Sequence, residues 1–333
     1  MKRFIGFILA LAILFSLAGC TGYGIVWDKR VYPDKTVPEV EIPSEESTKI
    51  SCTPLLYKVT DENGNCVWLF GSVHFGVDEF YPLPDYVMDA FNSSESLAVE
   101  MNTLKFEEDE NAQQEYFYQP LSYPQGDTIK NHIPDSLYNR AVDILKENDE
   151  YIENCDNYKP SLWSFAIDKC TYTKMGYDME NGIDRYLMTL AEKNGKEISE
   201  VEGAWYHYSV ISEFSDDVQL MMLSNSIGNY SNLDLSQQSL DKMCDAWAQG
   251  DETALKEIID AKPQFQTVEQ AEIFDEYNNR MMVERDMYMT QYVKSTLEWG
   301  KETFVCVGAA HVVGENGIVA QLKELGLVVE VVE

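Results

Sequence analysis

Two segments, one near each end of the chain, repeat a single design. Each is an apolar run, then Gly-x-x-His, then a further glycine. The first reads Val67-Trp68-Leu69-Phe70-Gly71-Ser72-Val73-His74-Phe75-Gly76, the second Phe304-Val305-Cys306-Val307-Gly308-Ala309-Ala310-His311-Val312-Val313-Gly314. Short apolar runs closed by glycine read as buried strands. Each histidine then stands just past the carboxyl end of its strand, the edge where open α/β sheets bind ligands. The economical fold is one sheet closed by chain ends distant in sequence, with the middle of the chain leaving and returning. Two separate domains are the alternative.

The rest of the pattern agrees with an α/β fold around a central mixed sheet. Leu55–Thr60, a turn through Asn63-Gly64, and Cys66–Phe70 spell a hairpin. Ser96–Met101 is a further apolar strand with Glu100 near its end. From about Thr103 the spacing of apolar residues turns helical, with helices expected over Ser136–Glu147, Leu162–Met175 and Ile183–Lys193. A short strand follows at Glu197–Val201, then helices up to a long one over Val268–Trp299, stopped by Gly300. Thr303–Val307, a helix over Gly317–Leu325, and Val328–Val332 close the chain. The domain over 51–333 thus carries a large helical insertion at about 103–299.

The amino terminus directs the chain to a membrane. Lys2 and Arg3 precede an apolar run from Phe4 to Ala18, too short for a comfortable span and right for a secretory leader. The run ends in Leu17-Ala18-Gly19-Cys20, which resembles the bacterial lipobox. The resemblance implies a leader over 1–19, a diacylated Cys20 and an anchor on the extracytoplasmic face, with two acyl chains sufficient for stable attachment. Residues 20–50, rich in Pro, Ser and charge, read as a tether.

Charge excludes one class of partner. The formal net charge is −32, and two units more negative without Lys2 and Arg3. Nucleic-acid binding needs a basic footprint, so no nucleic acid is expected. Hydrophobic content of 45% marks the chain as globular. Besides Cys20 there are six cysteines, none in CxxC spacing; Cys52 and Cys66 flank the hairpin and could pair.

Four histidines are present, and the repeated motif uses two of them. His74, His311 and Glu100 at one sheet edge can bind zinc, manganese or cobalt, or can activate water directly. Arg285, on the long helix, is a candidate for stabilising an oxyanion or holding a carboxylate, or else forms a surface ion pair with Glu284 or Asp286. Gly71 and Gly308 allow a ligand to approach the backbone. Glu202 and Asp184 are either site residues or helix-start carboxylates. His207, in Trp205-Tyr206-His207-Tyr208, lines the site or packs among aromatics, and His132 lies in a polar loop.

The paired motifs, the strand-end glutamate and the segment Gly308-Ala309-Ala310-His311-Val312-Val313-Gly314-Glu315-Asn316-Gly317-Ile318 resemble the TraB/GumN family. Further likeness lies at Gly182-Ile183-Asp184 and Val201-Glu202. The chain departs from the family pattern at Asp286, where an asparagine is usual, at Gly203, where a threonine is usual, and at His207, which stands near a usual glutamine. The resemblance implies a fold like that of the erythromycin esterase-like and Tiki proteins. For its Tiki branch it implies metal-dependent peptidase activity, and the expected function is a metal-dependent peptidase acting on peptides or proteins. A peptide-sequestering lipoprotein without turnover and a metal-independent esterase-like hydrolase are the alternatives.

Overall fold

The computed structural model describes residues 52–152 and 154–332. The leader, Cys20 and the tether lie outside the described residues. Among those described, no helix is long and apolar enough to cross a membrane.

The fold is mixed α/β. Its elements run β1 (Leu56–Thr60), β2 (Cys66–Ser72), α1 (Asp85–Ser93), β3 (Ser96–Val99), α2 (Thr103–Glu108), α3 (Asp135–Glu147), α4 (Pro160–Lys174), α5 (Ile183–Lys193) and β4 (Glu197–Glu200). There follow α6 (Gly203–Ser212), α7 (Asp216–Ser231), α8 (Leu233–Ala248), α9 (Glu252–Ile259), α10 (Val268–Asn278), α11 (Glu284–Trp299), β5 (Thr303–Gly308), α12 (Ala309–Val313), α13 (Ile318–Glu324) and β6 (Val328–Val332).

The six strands form one sheet in the order β4-β3-β5-β2-β1-β6. β4, β3, β5 and β2 are mutually parallel, and β1 is antiparallel to both its neighbours. The expected sheet from both chain ends is therefore present, and β5 runs through its middle with all six residues buried. The inserted segment is not purely helical, because it contributes edge strand β4 through pairs such as Val99↔Glu200.

Local chemistry explains the joints. In the β1–β2 turn, Asp61 Oδ1 accepts the backbone N–H groups of Asn63 (2.9 Å) and Asn65 (2.8 Å), and Gly64 takes φ +85°. An Asp side chain that satisfies the backbone two residues on is a turn device in its own right. Asn102, Ser215, Asp251 and Thr267 cap α2, α7, α9 and α10 through their side-chain oxygens. Gly300 ends α11 at φ 68°, as expected for a left-handed stop. The helix expected over Val268–Trp299 is interrupted: Asn279–Val283 is a π-helix between α10 and α11. Apolar spacing continues through the bulge, which hides it from a periodicity reading. Cys52 and Cys66 do not pair, and both are free thiols.

The main core covers both faces of the sheet, with Phe70 and Phe304 in ring contact at 5.7 Å. A smaller apolar cluster joins α3, α4 and α7 through Leu137, Ile144, Trp163, Ile167, Leu223 and Ile227.

Candidate functional site

The carboxyl ends of the four parallel strands converge. Ser72 of β2 pairs with Gly308 of β5, and Val99 of β3 pairs with Cys306 of β5 and Glu200 of β4. The residues that follow these ends, His74, Glu100, Glu202 and His311, gather at one edge. Backbone bonds fix the crossing: Glu202 N and Gly203 N each donate to the Glu100 carbonyl at 3.0 Å.

Glu100 lies one residue past β3 and is 7% exposed. Its Oε2 accepts from Arg285 Nη2 at 2.5 Å, and its Oε1 accepts from the Gly308 N–H at 2.6 Å. His74 Nε2 stands 4.0 Å from Oε1, and His207 Nδ1 stands 3.9 Å from Oε2. Burial alone would raise the pKa of this carboxyl. Arg285, seconded by His311, His74 and His207, outweighs burial and holds it far below the usual carboxylate range.

Arg285 is almost fully buried, at 1% exposed. Its Nε and Nη2 grip Glu202 in a fork at 2.7 and 2.9 Å while Nη2 also holds Glu100. Nη1 reaches the Met281 carbonyl at 3.4 Å. With its donors engaged in this way, the guanidinium is a clamp between two glutamates and not a surface ion pair. Glu100, Glu202 and His207 offer ligand atoms within 4.8 Å of one another, a spacing that suits a metal ion. Arg285 Nη2, within 3.5 Å of all three residues, already supplies a cation there.

Three histidines share one arrangement. His311 Nδ1 donates to Asp286 Oδ1 at 2.5 Å, and its Nε2 is buried without a partner. His207 Nδ1 meets Glu202 Oε2 at 3.0 Å. His74 Nδ1 lies 3.1 Å from Asp184 Oδ1, a charge contact misaligned for a hydrogen bond. Burial would lower the His74 pKa, but Asp184 and Glu100 raise it above the ordinary imidazole value. Burial raises Asp286 despite His311 and Arg285. An ionised carboxylate only accepts, so a carboxylate at Nδ1 favours the tautomer with Nδ1–H and a free Nε2 lone pair. That is how metal-binding histidines are commonly braced. Braced imidazoles are donors of the type that holds a divalent cation, but among the described residues His74, His311 and Glu100 are not grouped at metal-ligand spacing.

A small pocket, with room for about one water molecule, opens here, lined by residues that include Ser72, His74, Glu100, Asp184, His207 and Cys306. His311 and Arg285 are not among the residues that line it.

The glycines serve the scaffold. A Cβ on Gly71 would sit 2.9 Å from Ala309 Cα, and the Gly71 carbonyl accepts Trp247 Nε1 at 2.7 Å. Gly308 gives its N–H to Glu100. His311 stands just past β5, as expected, in short helix α12. His132 stacks on Tyr123 and contacts Asp127, away from the site. Asp286 as a brace was missed. Its signal was present, because Arg285 and Asp286 are both charged and both on the buried stripe with Met289, Thr290 and Val293.

A family model described as the TraB/PrgY/gumN family matches residues 55–331. No curated protein and no solved structure gives a significant match.

Proposed function

This chain belongs to the TraB/PrgY/gumN family, and we propose that it is a metal-dependent hydrolase of peptides, held at the extracytoplasmic face of a membrane by Cys20. The observation that carries the reading is the gathering of His74, His311 and Glu100 past the carboxyl ends of the parallel strands, with Asp286 bonded to Nδ1 of His311 and Asp184 3.1 Å from Nδ1 of His74. His74, His311 and Glu100 would hold the cation. When bound, such an ion polarises a carbonyl and lowers the pKa of water.

The chain's own residues supply the rest. Asp184 and Asp286 orient the two rings. Arg285 and the Gly308 N–H keep Glu100 ionised and fixed, as an acceptor that orients a water or holds the ion; its depressed pKa makes it a poor proton acceptor. Ser72 and Cys306 line the pocket beside His74 and Glu100, where a water fits. The proposed fold kinship is with the erythromycin esterase-like and Tiki proteins, as the family motifs imply.

Metal content tests the reading. The protein should carry near-stoichiometric zinc, cobalt or manganese, lost in both His74→Ala and His311→Ala. Cleavage of a peptide library, followed by mass spectrometry, should stop with chelator and fall by at least about 100-fold in Glu100→Gln. Cleavage that persists in chelator favours direct water activation by the Asp184–His74 pair. Depletion of a peptide without products means capture. The anchor has its own test: Cys20→Ser should leave the membrane fraction, and an unchanged distribution rejects lipidation.

A further inference from the structure

We infer that Ser72, together with Asp184, holds the water consumed in hydrolysis, and that Ser72 is the residue that positions it. The inference rests on the hydrolase reading above and adds to it the place of the water.

Strand β2 is apolar almost to its end. Val67, Leu69 and Phe70 are fully buried, and Ser72 at the last position is buried just as completely. A hydroxyl taken out of water costs free energy unless it is bonded. Ser72 Oγ has no hydrogen-bond partner among the described residues. In the register of β2 on β5, Phe70 pairs with Cys306 and Ser72 with Gly308, so Ser72 and Cys306 are diagonal neighbours on one face. Burial pushes the Cys306 thiol far up, and the Ser72 hydroxyl offsets this only in part. A thiol is a weak donor and a weak acceptor, so it leaves the hydroxyl free to bond elsewhere.

Two further atoms are in the same condition. His74 Nδ1 and Asp184 Oδ1 stand 3.1 Å apart, yet both are buried without a hydrogen-bond partner. Ser72, His74 and Asp184 all line the small pocket, whereas Tyr57, Thr290 and His311, which carry the other unpartnered buried atoms among the described residues, do not. The pocket has room for about one water, and a buried water makes about three hydrogen bonds. The chemistry is matched as well. A hydroxyl both donates and accepts, an ionised carboxylate only accepts, and a water serves both. Glu100 borders the same space, but a donor already sits on each of its oxygens, which leaves Asp184 as the carboxylate with an uncommitted one.

The backbone holds these groups in register. Ile183 N donates to the Val73 carbonyl at 3.0 Å, tying the residue before Asp184 to the residue between Ser72 and His74. In turnover the oxygen of the water adds to the scissile carbonyl carbon, the carbon–nitrogen bond breaks, and the proton of the water leaves on the amine nitrogen. Ser72 sets the direction of that approach.

The experiment uses the full-length protein beside Ser72→Ala and Ser72→Cys. A crystal structure of chelator-treated wild type should show one ordered water within hydrogen-bond distance of Ser72 Oγ and Asp184 Oδ1, and Ser72→Ala should lose it. With a peptide that wild type cleaves as the probe, Ser72→Ala should lose about 10–100-fold in kcat at unchanged KM. Ser72→Cys keeps the shape without a strong hydrogen bond and should lose as much. Ser72→Ala should also melt no higher than wild type, because a bonded hydroxyl is not a burden. A dry pocket in wild type, an unchanged kcat in either variant, or a raised melting temperature in Ser72→Ala overturns the inference and leaves the hydrolase reading standing. A wild type that holds the water yet cleaves no peptide overturns the hydrolase reading, and the role in turnover falls with it.

Discussion

At the residue scale the molecule is organised by one buried guanidinium. Arg285 neutralises Glu100 and Glu202, and breaking a buried pair by removing one partner costs more than the pair contributes, because a charge is stranded. Arg285→Met should therefore destabilise the protein by about 3–5 kcal/mol, read as a shift in the urea unfolding midpoint. A variant as stable as wild type would mean that water reaches these carboxylates. The sequence displayed His74, His311 and Glu100 because their setting is repeated and because a carboxylate closing an apolar strand is conspicuous. It did not display which partner each would take. Asp184, in the first turn of α5, has the appearance of a helix-start carboxylate, and only the approach of the His74 loop gives it a second task. Arg285 was placed on the right helix, but whether it faced solvent or Glu100 depends on how α11 lies against the sheet.

At the scale of elements, the loop bearing His74 is strapped to the turn before α5. Ile183 N donates to the Val73 carbonyl at 3.0 Å, and Gly76 N donates to the Asp178 carbonyl at 3.0 Å. A Cβ on Gly76 would lie 2.1 Å from the Asn181 carbonyl oxygen, a backbone atom that cannot turn aside. Gly76→Ala should push the strap off, cost about 1–3 kcal/mol by overpacking, and loosen Asp184 from His74. The control is Gly228→Ala in α7, where nothing lies within 4 Å; it should be neutral or stabilising by up to about 1 kcal/mol. Equal effects of the two in chemical denaturation would refute the strap. Strand positions were legible to within a residue or two because glycines and turn residues bracket them. The π-helix Asn279–Val283 was not, although it sets the phase of α11 and so the inward aim of Arg285 and Asp286. A bulge changes the phase of a helix without changing its composition.

At the scale of the whole molecule, the two apolar clusters meet along α4 and α7, and a carboxyl is buried between those helices. Asp168, 4% exposed, accepts from Ser226 Oγ at 2.9 Å, and burial raises its pKa well above the ordinary 3.8 despite that bond. With the folded pKa above the unfolded one, its contribution is fully present below 3.8 and is lost as pH rises through the folded value. Asp168→Asn removes this liability. Its stability relative to wild type should grow from pH 5 to pH 8, reaching about 1–3 kcal/mol; a difference that stays flat with pH would count against it. The acidity of the chain was plain from composition, but this one acid differs from the other 56 only by where α4 is buried. The position of β5 carries a consequence of another kind. Synthesis proceeds from the amino terminus, so β3 and β2 are made long before the strand that must lie between them. Until the last stretch of chain is released, His74 and Glu100 belong to halves of a sheet with an open seam, and Gly308 and His311 do not yet exist. A message cut short before β5 would then leave β3 and β2 as the two sides of an unfilled gap, with neither Gly308 nor His311 to complete the edge.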